Sequence, residues 1–291
     1  MSPNSRPSSS AKQSISRPLV NILRACRSIA YFSLSPFDYL HRSVNGKVDF
    51  PPLYLRRHVG PLRTFEASGA EFMSYLRLLV GMQSNERILD IGCGCGLMAL
   101  YLQDYLDKQG SYLGVDLHRL SIQWCRRNIE SAHQNFQFAH IDIQNPAYNP
   151  HGKQSGENFA LPFDSGSFDV VLLKSVFTHT KPAELDNYLR EIARLLKKDQ
   201  GRCLATFFLL NEEQRALDVE GRNSLQFSFG TNEWRYVYEH SPESASAFEE
   251  DYVLSLLQKH GLRLRDKAYY GQWSGRKDGL SFQDLLVIER G

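Results

Sequence analysis

The sequence predicts an α/β fold: a doubly wound, mostly parallel sheet with helices on both faces. Three observations carry that expectation. Short apolar runs of strand length alternate with amphipathic helical segments between residues 66 and 209. The first run, Arg87-Ile88-Leu89-Asp90-Ile91, ends on glycines at 92, 94 and 96, as a buried parallel strand does when it turns into a helix. The chain closes with two strands joined by a loop rather than a helix, which predicts an antiparallel edge strand on the sheet.

The elements follow in order. Residues 1–18, rich in Ser, Pro and Arg, read as a disordered tail, and 19–34 as a short amphipathic helix. Asn21, Arg24 and Arg27 break the apolar run that a signal peptide would need. Residues 1–37 therefore form a basic tail with a short helix, leaving organellar targeting and weak membrane-surface contact through 19–34 open. Residues 38–65, with Pro51, Pro52, Tyr54 and Phe65, read as an irregular cap. The main domain is expected over 66–291. It begins with a helix over 66–83, where Phe72, Tyr75, Leu76, Leu79 and Val80 recur at helical spacing. Strands are expected at 87–91, 112–115, 136–141, 168–173, 202–209, 262–270 and 284–288, with helices at 97–106, 120–131, 183–197 and 248–259. Residues 211–250 break the rhythm and read as an insertion covering the substrate side.

Composition excludes several classes. The 291 residues are 42% hydrophobic and 23% charged with a net charge of +2, ordinary for a soluble enzyme and too weak a field to sequester nucleic acid. The first 37 residues hold Arg6, Lys12, Arg17, Arg24 and Arg27 and no acid, so the remainder is mildly acidic. Five scattered cysteines form neither a disulfide framework nor a zinc pair, which fits a reducing, cytoplasmic setting. No apolar run has the length of a membrane span, and no metal-ligand constellation is visible.

The chemistry concentrates in Asp90-Ile91-Gly92-Cys93-Gly94-Cys95-Gly96. A strand enters a GxGxG bend where backbone can approach a ligand without Cβ collisions. A pyrophosphate loop would space its glycines as GxGxxG; here the third comes one position early. Asp90 would repel a pyrophosphate and suits an ammonium. Asp116, twenty residues past Gly96 at the end of Gly114-Val115-Asp116, can accept from both hydroxyls of a ribose. Asp142, in His140-Ile141-Asp142-Ile143, can accept from an adenine amino group while the Ile143 N–H donates to the ring. His179, after the fourth strand, stands where a general base would, though it also reads as a helix entry.

With these runs in order, together with Phe168–His179 and a late Leu195–Phe208, the chain resembles the class I S-adenosylmethionine-dependent methyltransferases over about residues 66–290. It is similar in particular to a set of small bacterial-type methyltransferases with unassigned substrates. That set carries Tyr148-Asn149-Pro150, Ser175-Val176-Phe177-Thr178-His179, Gly271–Arg276 and Phe282-Gln283-Asp284. The resemblance implies a Rossmann-like seven-stranded sheet and S-adenosyl-L-methionine as cofactor. It implies that Gly92, Gly94 and Gly96 flank the methionine portion, that Asp116 with Leu117 holds the ribose, that Asp142 and Ile143 read the adenine, and that Lys174 lines the cofactor through its backbone. The family often has a small or aromatic residue where Lys174 stands, so its side chain needs a carboxylate partner or a route to solvent.

The expected reaction is methyl transfer to an oxygen or nitrogen of a small-molecule acceptor. Tyr54, Arg56, Arg57, His58, Trp234, Tyr236, Tyr238, Tyr270 and Trp273 are the aromatic and basic residues expected on the substrate side. A nicotinamide oxidoreductase is disfavoured by the glycine spacing. A cofactor-binding interaction scaffold, or a protein or nucleic-acid methyltransferase, remains the competing reading.

Overall fold

Residues that alternate along each buried strand divide between two hydrophobic cores, one on each side of a single sheet. In strand β1 (Arg87–Ile91), Ile88 packs into one core while Leu89 and Ile91 pack into the other. The computed structural model describes residues 30–146 and 148–291. The expected tail at 1–18 and most of the expected helix at 19–34 lie outside the described residues.

The remaining strands are β2 (Ser111–Asp116), β3 (Phe136–His140), β4 (Val170–Leu173) and β5 (Arg202–Phe207). Four short strands follow, β6 (Leu209–Leu210), β7 (Phe229–Gly230), β8 (Trp234–Tyr236) and β9 (Ser246–Glu249), and the chain ends with β10 (Leu262–Leu264) and β11 (Asp284–Arg290). The main sheet has the order β10-β11-β5-β4-β1-β2-β3. All residues of β4 and β5 are buried, as expected for strands covered on both faces. Helices Phe65–Leu78, Leu97–Leu102 and Arg119–Cys125 contribute to one core, and Pro182–Leu195 and Glu250–Lys259 to the other. The late antiparallel strand is β11; it runs one position in from the rim, between β5 and β10. Chain direction across the sheet reverses between β1 and β4, and ligands of open α/β sheets bind at the carboxyl ends of the strands flanking such a switch.

Two expectations are corrected. The cap is not irregular: it holds helices Ser35–Val44 and Leu53–Arg56, because Asp38 accepts from the Leu53 N–H at 3.0 Å and pairs with Arg42 and Arg56, fastening the two helices together. The 211–250 segment, expected as an insertion covering the substrate side, has regular structure of its own away from the cavity wall. It forms helix Glu212–Val219 and strands β7, β8 and β9, which join β6 in a second sheet of order β6-β9-β8-β7. A third core of Phe208, Leu210, Phe227, Ala247 and Trp273 lies beneath it.

Candidate active site

A cavity of about 790 Å³ lies where β1 and β4 end, within the size range that encloses a cofactor-sized ligand. Its floor is the glycine bend. Gly92, Gly94 and Gly96 all have left-handed φ values, 78°, 54° and 81°. A Cβ on Gly92 would come within 2.6 Å of Val176, and one on Gly94 within 2.7 Å of Val59. The bend is fixed from below by the Gly92 and Cys93 N–H groups, which donate to Val115 O at 2.8 and 3.1 Å.

Asp116 completes the bend. Its Oδ2 accepts from Gly94 N at 2.7 Å and its Oδ1 from His118 N at 2.6 Å, so one carboxylate joins the ends of β1 and β2. Burial raises its pKa, and these backbone donors pull it back. Asp90, 2% exposed, accepts from the Tyr112 hydroxyl at 2.6 Å. Burial pushes its carboxyl up to about 7 against the opposing hydrogen bond from Tyr112, with Asp116 adding to the rise and the Lys174 charge opposing it. Both acids, with Leu117, line the cavity.

Lys174 does not reach for solvent. Its Nζ lies 4.8 Å from the centre of the Phe72 ring, a cation–π contact on the cavity wall. Burial lowers its pKa while the charges of Glu71 and Asp90 raise it. The next residue, Ser175, is the only described non-glycine residue with positive φ, at 59°. It is held there by its N–H to Thr206 Oγ1 at 2.7 Å and its Oγ to Gln283 Oε1 at 3.0 Å.

His179 also lines the cavity, and its Nδ1 is 2.9 Å from the Glu243 carbonyl. A carbonyl oxygen only accepts, so Nδ1 carries the proton and the neutral ring keeps its lone pair on Nε2. Burial lowers its pKa below 6.5, with the Glu243 contacts opposing. A row of rings runs along this wall. Tyr148 lies 6.3 Å from His179, His58 lies 6.4 Å from Tyr148, and His118 lies 4.6 Å from His58. Burial, reinforced by the charge of His118, lowers the His58 pKa to about 4.

Asp142 is not brought to the cavity. Its Oδ1 accepts from Asn149 Nδ2 at 3.0 Å, and its carbonyl accepts from Lys153 and Gln154, so it fastens the Tyr148-Asn149-Pro150 loop. Its neighbours Ile143 and Gln144 line the cavity instead. On the substrate side Arg57 and His58 reach the wall. Tyr54 and Arg56 do not; Tyr54 packs on Phe32 and Arg56 pairs with Asp38. No residue of 211–250 lines the cavity. Trp234 and Tyr236 pack on each other, Trp273 is buried in the third core, and Tyr238 and Tyr270 are off the cavity wall as well. Among the polar walls that sequence reasoning missed are His118, Glu71, Gln144 and Glu184. Only His118 carried a signal, two residues past Asp116, where its N–H closes a turn on that carboxylate.

Residues 88–199 match the family model described as a methyltransferase domain. Over this segment, which is under half of the chain, the sequence is similar to methyltransferase domains. The chain is similar in fold to a protein of Pyrococcus horikoshii OT3, with 17% identity, a TM-score of 0.51 and coverage of 78% of this chain and 90% of that one. A SAM dependent methyltransferase from Aquifex aeolicus matches at 15% identity and TM-score 0.49, covering 82% and 97%. The 1,6-didemethyltoxoflavin-N1-methyltransferase of Burkholderia thailandensis, whose structure holds S-adenosylhomocysteine, matches at 17% and 0.48, covering 96% and 92%. The residues present fit S-adenosylmethionine, the cofactor the sequence led us to expect: a bend with no room for a Cβ, the buried Asp90 and the half-buried Asp116 on either side of it, and a cavity beside them.

Proposed function

We propose that this methyltransferase alkylates an oxygen or nitrogen of a small-molecule acceptor, with His179 as the general base. The observation that carries the reading is the His179 ring, lining the cavity with its proton committed to the Glu243 carbonyl. S-Adenosylmethionine supplies a methyl group already activated by its sulfonium. The chain's own residues do the rest. Gly92, Gly94 and Gly96 admit the methionine portion, and Asp90 attracts its ammonium. Asp116 with Leu117 holds the ribose hydroxyls through the lone pairs its backbone donors leave. Ile143 and Gln144, in place of the Asp142 carboxylate, take the adenine edge, and the Lys174 backbone closes the cofactor side. His179 Nε2 receives the acceptor proton, and the surrounding ring faces exclude water. The helical cap at 35–65 forms the substrate-side wall through Arg57 and His58.

Titration calorimetry with S-adenosylhomocysteine tests the cofactor side. Asp116→Ala should raise its Kd by about a hundredfold, because bonds to a charged group are worth roughly 1.5–3 kcal/mol each. A Kd within twofold of the parent, with folding intact, would remove Asp116 from the site.

Asp90 adds a pH dependence. An ammonium ligand favours the ionised carboxylate, so affinity should tighten as pH rises through about 7, by up to about tenfold per pH unit below it. Asp90→Asn should flatten that slope. For folding the sign is the reverse: with its pKa raised from 3.8, the stability Asp90 contributes is full below about pH 4 and lost as pH rises through about 7. A Kd independent of pH in the parent chain would rule out ammonium recognition by Asp90. For the acceptor, the methyl-labelled cofactor incubated with cell extract should label a small-molecule fraction; label confined to protein or nucleic acid would overturn the acceptor class.

A further inference from the structure

The helix Ser35–Val44 is built inside out. Its inward face carries charge: Asp38 is buried, accepts from Arg42 Nε and Leu53 N at 3.0 Å each, and pairs with Arg56. Arg42 is buried as well and donates to the Val48 and Phe50 carbonyls. The outward face is apolar. Phe37, Leu40 and Val44, spaced i, i+3, i+7, are 72%, 63% and 78% exposed, and Phe32, just before the helix, is exposed as well. An amphipathic helix ordinarily turns such a stripe to the core. Here the inward side is taken by the ion pairs, and the stripe faces away from every described residue that forms the cores. An exposed apolar stripe on one helix face marks a candidate binding surface.

Charge decides between occupants. The first 37 residues carry Arg6, Lys12, Arg17, Arg24 and Arg27 with no acid, and the helix's one acid, Asp38, is buried against two arginines. Aromatic and aliphatic side chains beside an acid-free basic run are the composition of a helix lying in the headgroup layer of an anionic bilayer. An apolar protein partner would not call for the basic run. No described helix is long and apolar enough to cross a membrane, so the contact is with the surface.

We propose that the face formed by Phe32, Phe37, Leu40 and Val44 seats this enzyme on an anionic lipid bilayer, with the basic N-terminal run supplying the electrostatic attraction. The same short stretch of chain leads into the cavity wall. The Phe32 ring lies 5.6 Å from that of Tyr54, the Arg57 guanidinium lies 5.5 Å over Tyr31, and Arg57, His58 and Val59 line the cavity. Seating this face therefore sets the cap side of the cavity beside the lipid interface. The inference stands whichever acceptor is methylated.

Flotation of the full chain with vesicles is the test, using phosphatidylcholine alone and phosphatidylcholine mixed with phosphatidylserine. The chain should float with the anionic vesicles, about tenfold less with the neutral ones, and less as salt is added. The double variant Phe37→Glu, Leu40→Glu should partition about a hundredfold more weakly, since each buried apolar side chain is worth a factor of ten or more. Its S-adenosylhomocysteine affinity and melting temperature should stay those of the parent. Absence of flotation with anionic vesicles overturns the proposal, as does equal flotation of the variant. A parent dimer that the variant dissolves, without lipid binding, overturns it in favour of a second copy on this face.

Discussion

Asp284→Ala is expected to destabilise the protein by roughly 3–5 kcal/mol. The carboxylate is fully buried, and three donors converge on it. Oδ2 accepts from Leu209 N at 2.6 Å and from the Trp273 indole N–H at 2.9 Å, while Oδ1 accepts from Gly271 N at 2.6 Å. These donors belong to the start of the second sheet, to the buried Trp273 and to the turn preceding it, so one side chain on β11 joins three separate parts of the chain. Burial pushes its carboxyl up to about 6 even against those three bonds, which measures how costly the site is. Truncation leaves two backbone N–H groups and an indole N–H buried without acceptors, each costing roughly 1–3 kcal/mol. Asp284→Asn should lose less, because the amide keeps one acceptor and turns a donor against the other site. Urea unfolding measures both: the midpoint should fall with the slope unchanged. A loss under about 1 kcal/mol for the alanine variant would mean that the three donors find other partners. The neighbouring Gln283, which steadies Ser175, depends on this clamp for its place on the cavity wall.

Asp284 also explains what the sequence disclosed and what it hid. The parallel sheet was legible because burial on both faces forces continuous apolar runs, and Val170–Leu173 and Arg202–Phe207 read as nothing else. The glycine bend was legible because left-handed backbone at 92, 94 and 96 selects glycine, which leaves a mark in sequence. Asp116 was legible through its fixed spacing from that bend. Asp142 misled for the opposite reason: a strand-end acid looks the same whether it meets a ligand or, as here, the Asn149 side chain seven residues on. The aromatics at 234, 236 and 273 were expected to face substrate because patterning records which residues are apolar, not which layer buries them. Asp38 escaped entirely. Its pairing with Arg42 four residues on looks like any exposed helix pair, and its other partners, Arg56 and Leu53, are close only once the cap helices fold together, so nothing local marked the charge as inward-facing.

His179→Gln should lower kcat by about 10²- to 10⁴-fold, the usual contribution of a positioned general base, while leaving S-adenosylhomocysteine affinity within about twofold. The argument is one of tautomer and charge state together. The Glu243 carbonyl commits the proton to Nδ1, so the acceptor-facing chemistry falls to Nε2. Burial lowers the ring's pKa below 6.5, so at neutral pH the base is deprotonated and ready. The sign follows: transfer in the parent chain should rise with pH through a pKa below 6.5 and then level off, and the glutamine variant should lack that rising limb. Glutamine fills similar space and can still donate to the Glu243 carbonyl, which separates loss of the base from loss of the Glu243 tether. Measured as label transferred from methyl-labelled cofactor into the acceptor fraction, a variant rate within about threefold of the parent would show that proximity alone drives the transfer. His179 would then be a wall of the cavity and no more. A fall in kcat that keeps the acidic limb would point to positioning, with the titrating group elsewhere on the row of rings formed by Tyr148, His58 and His118.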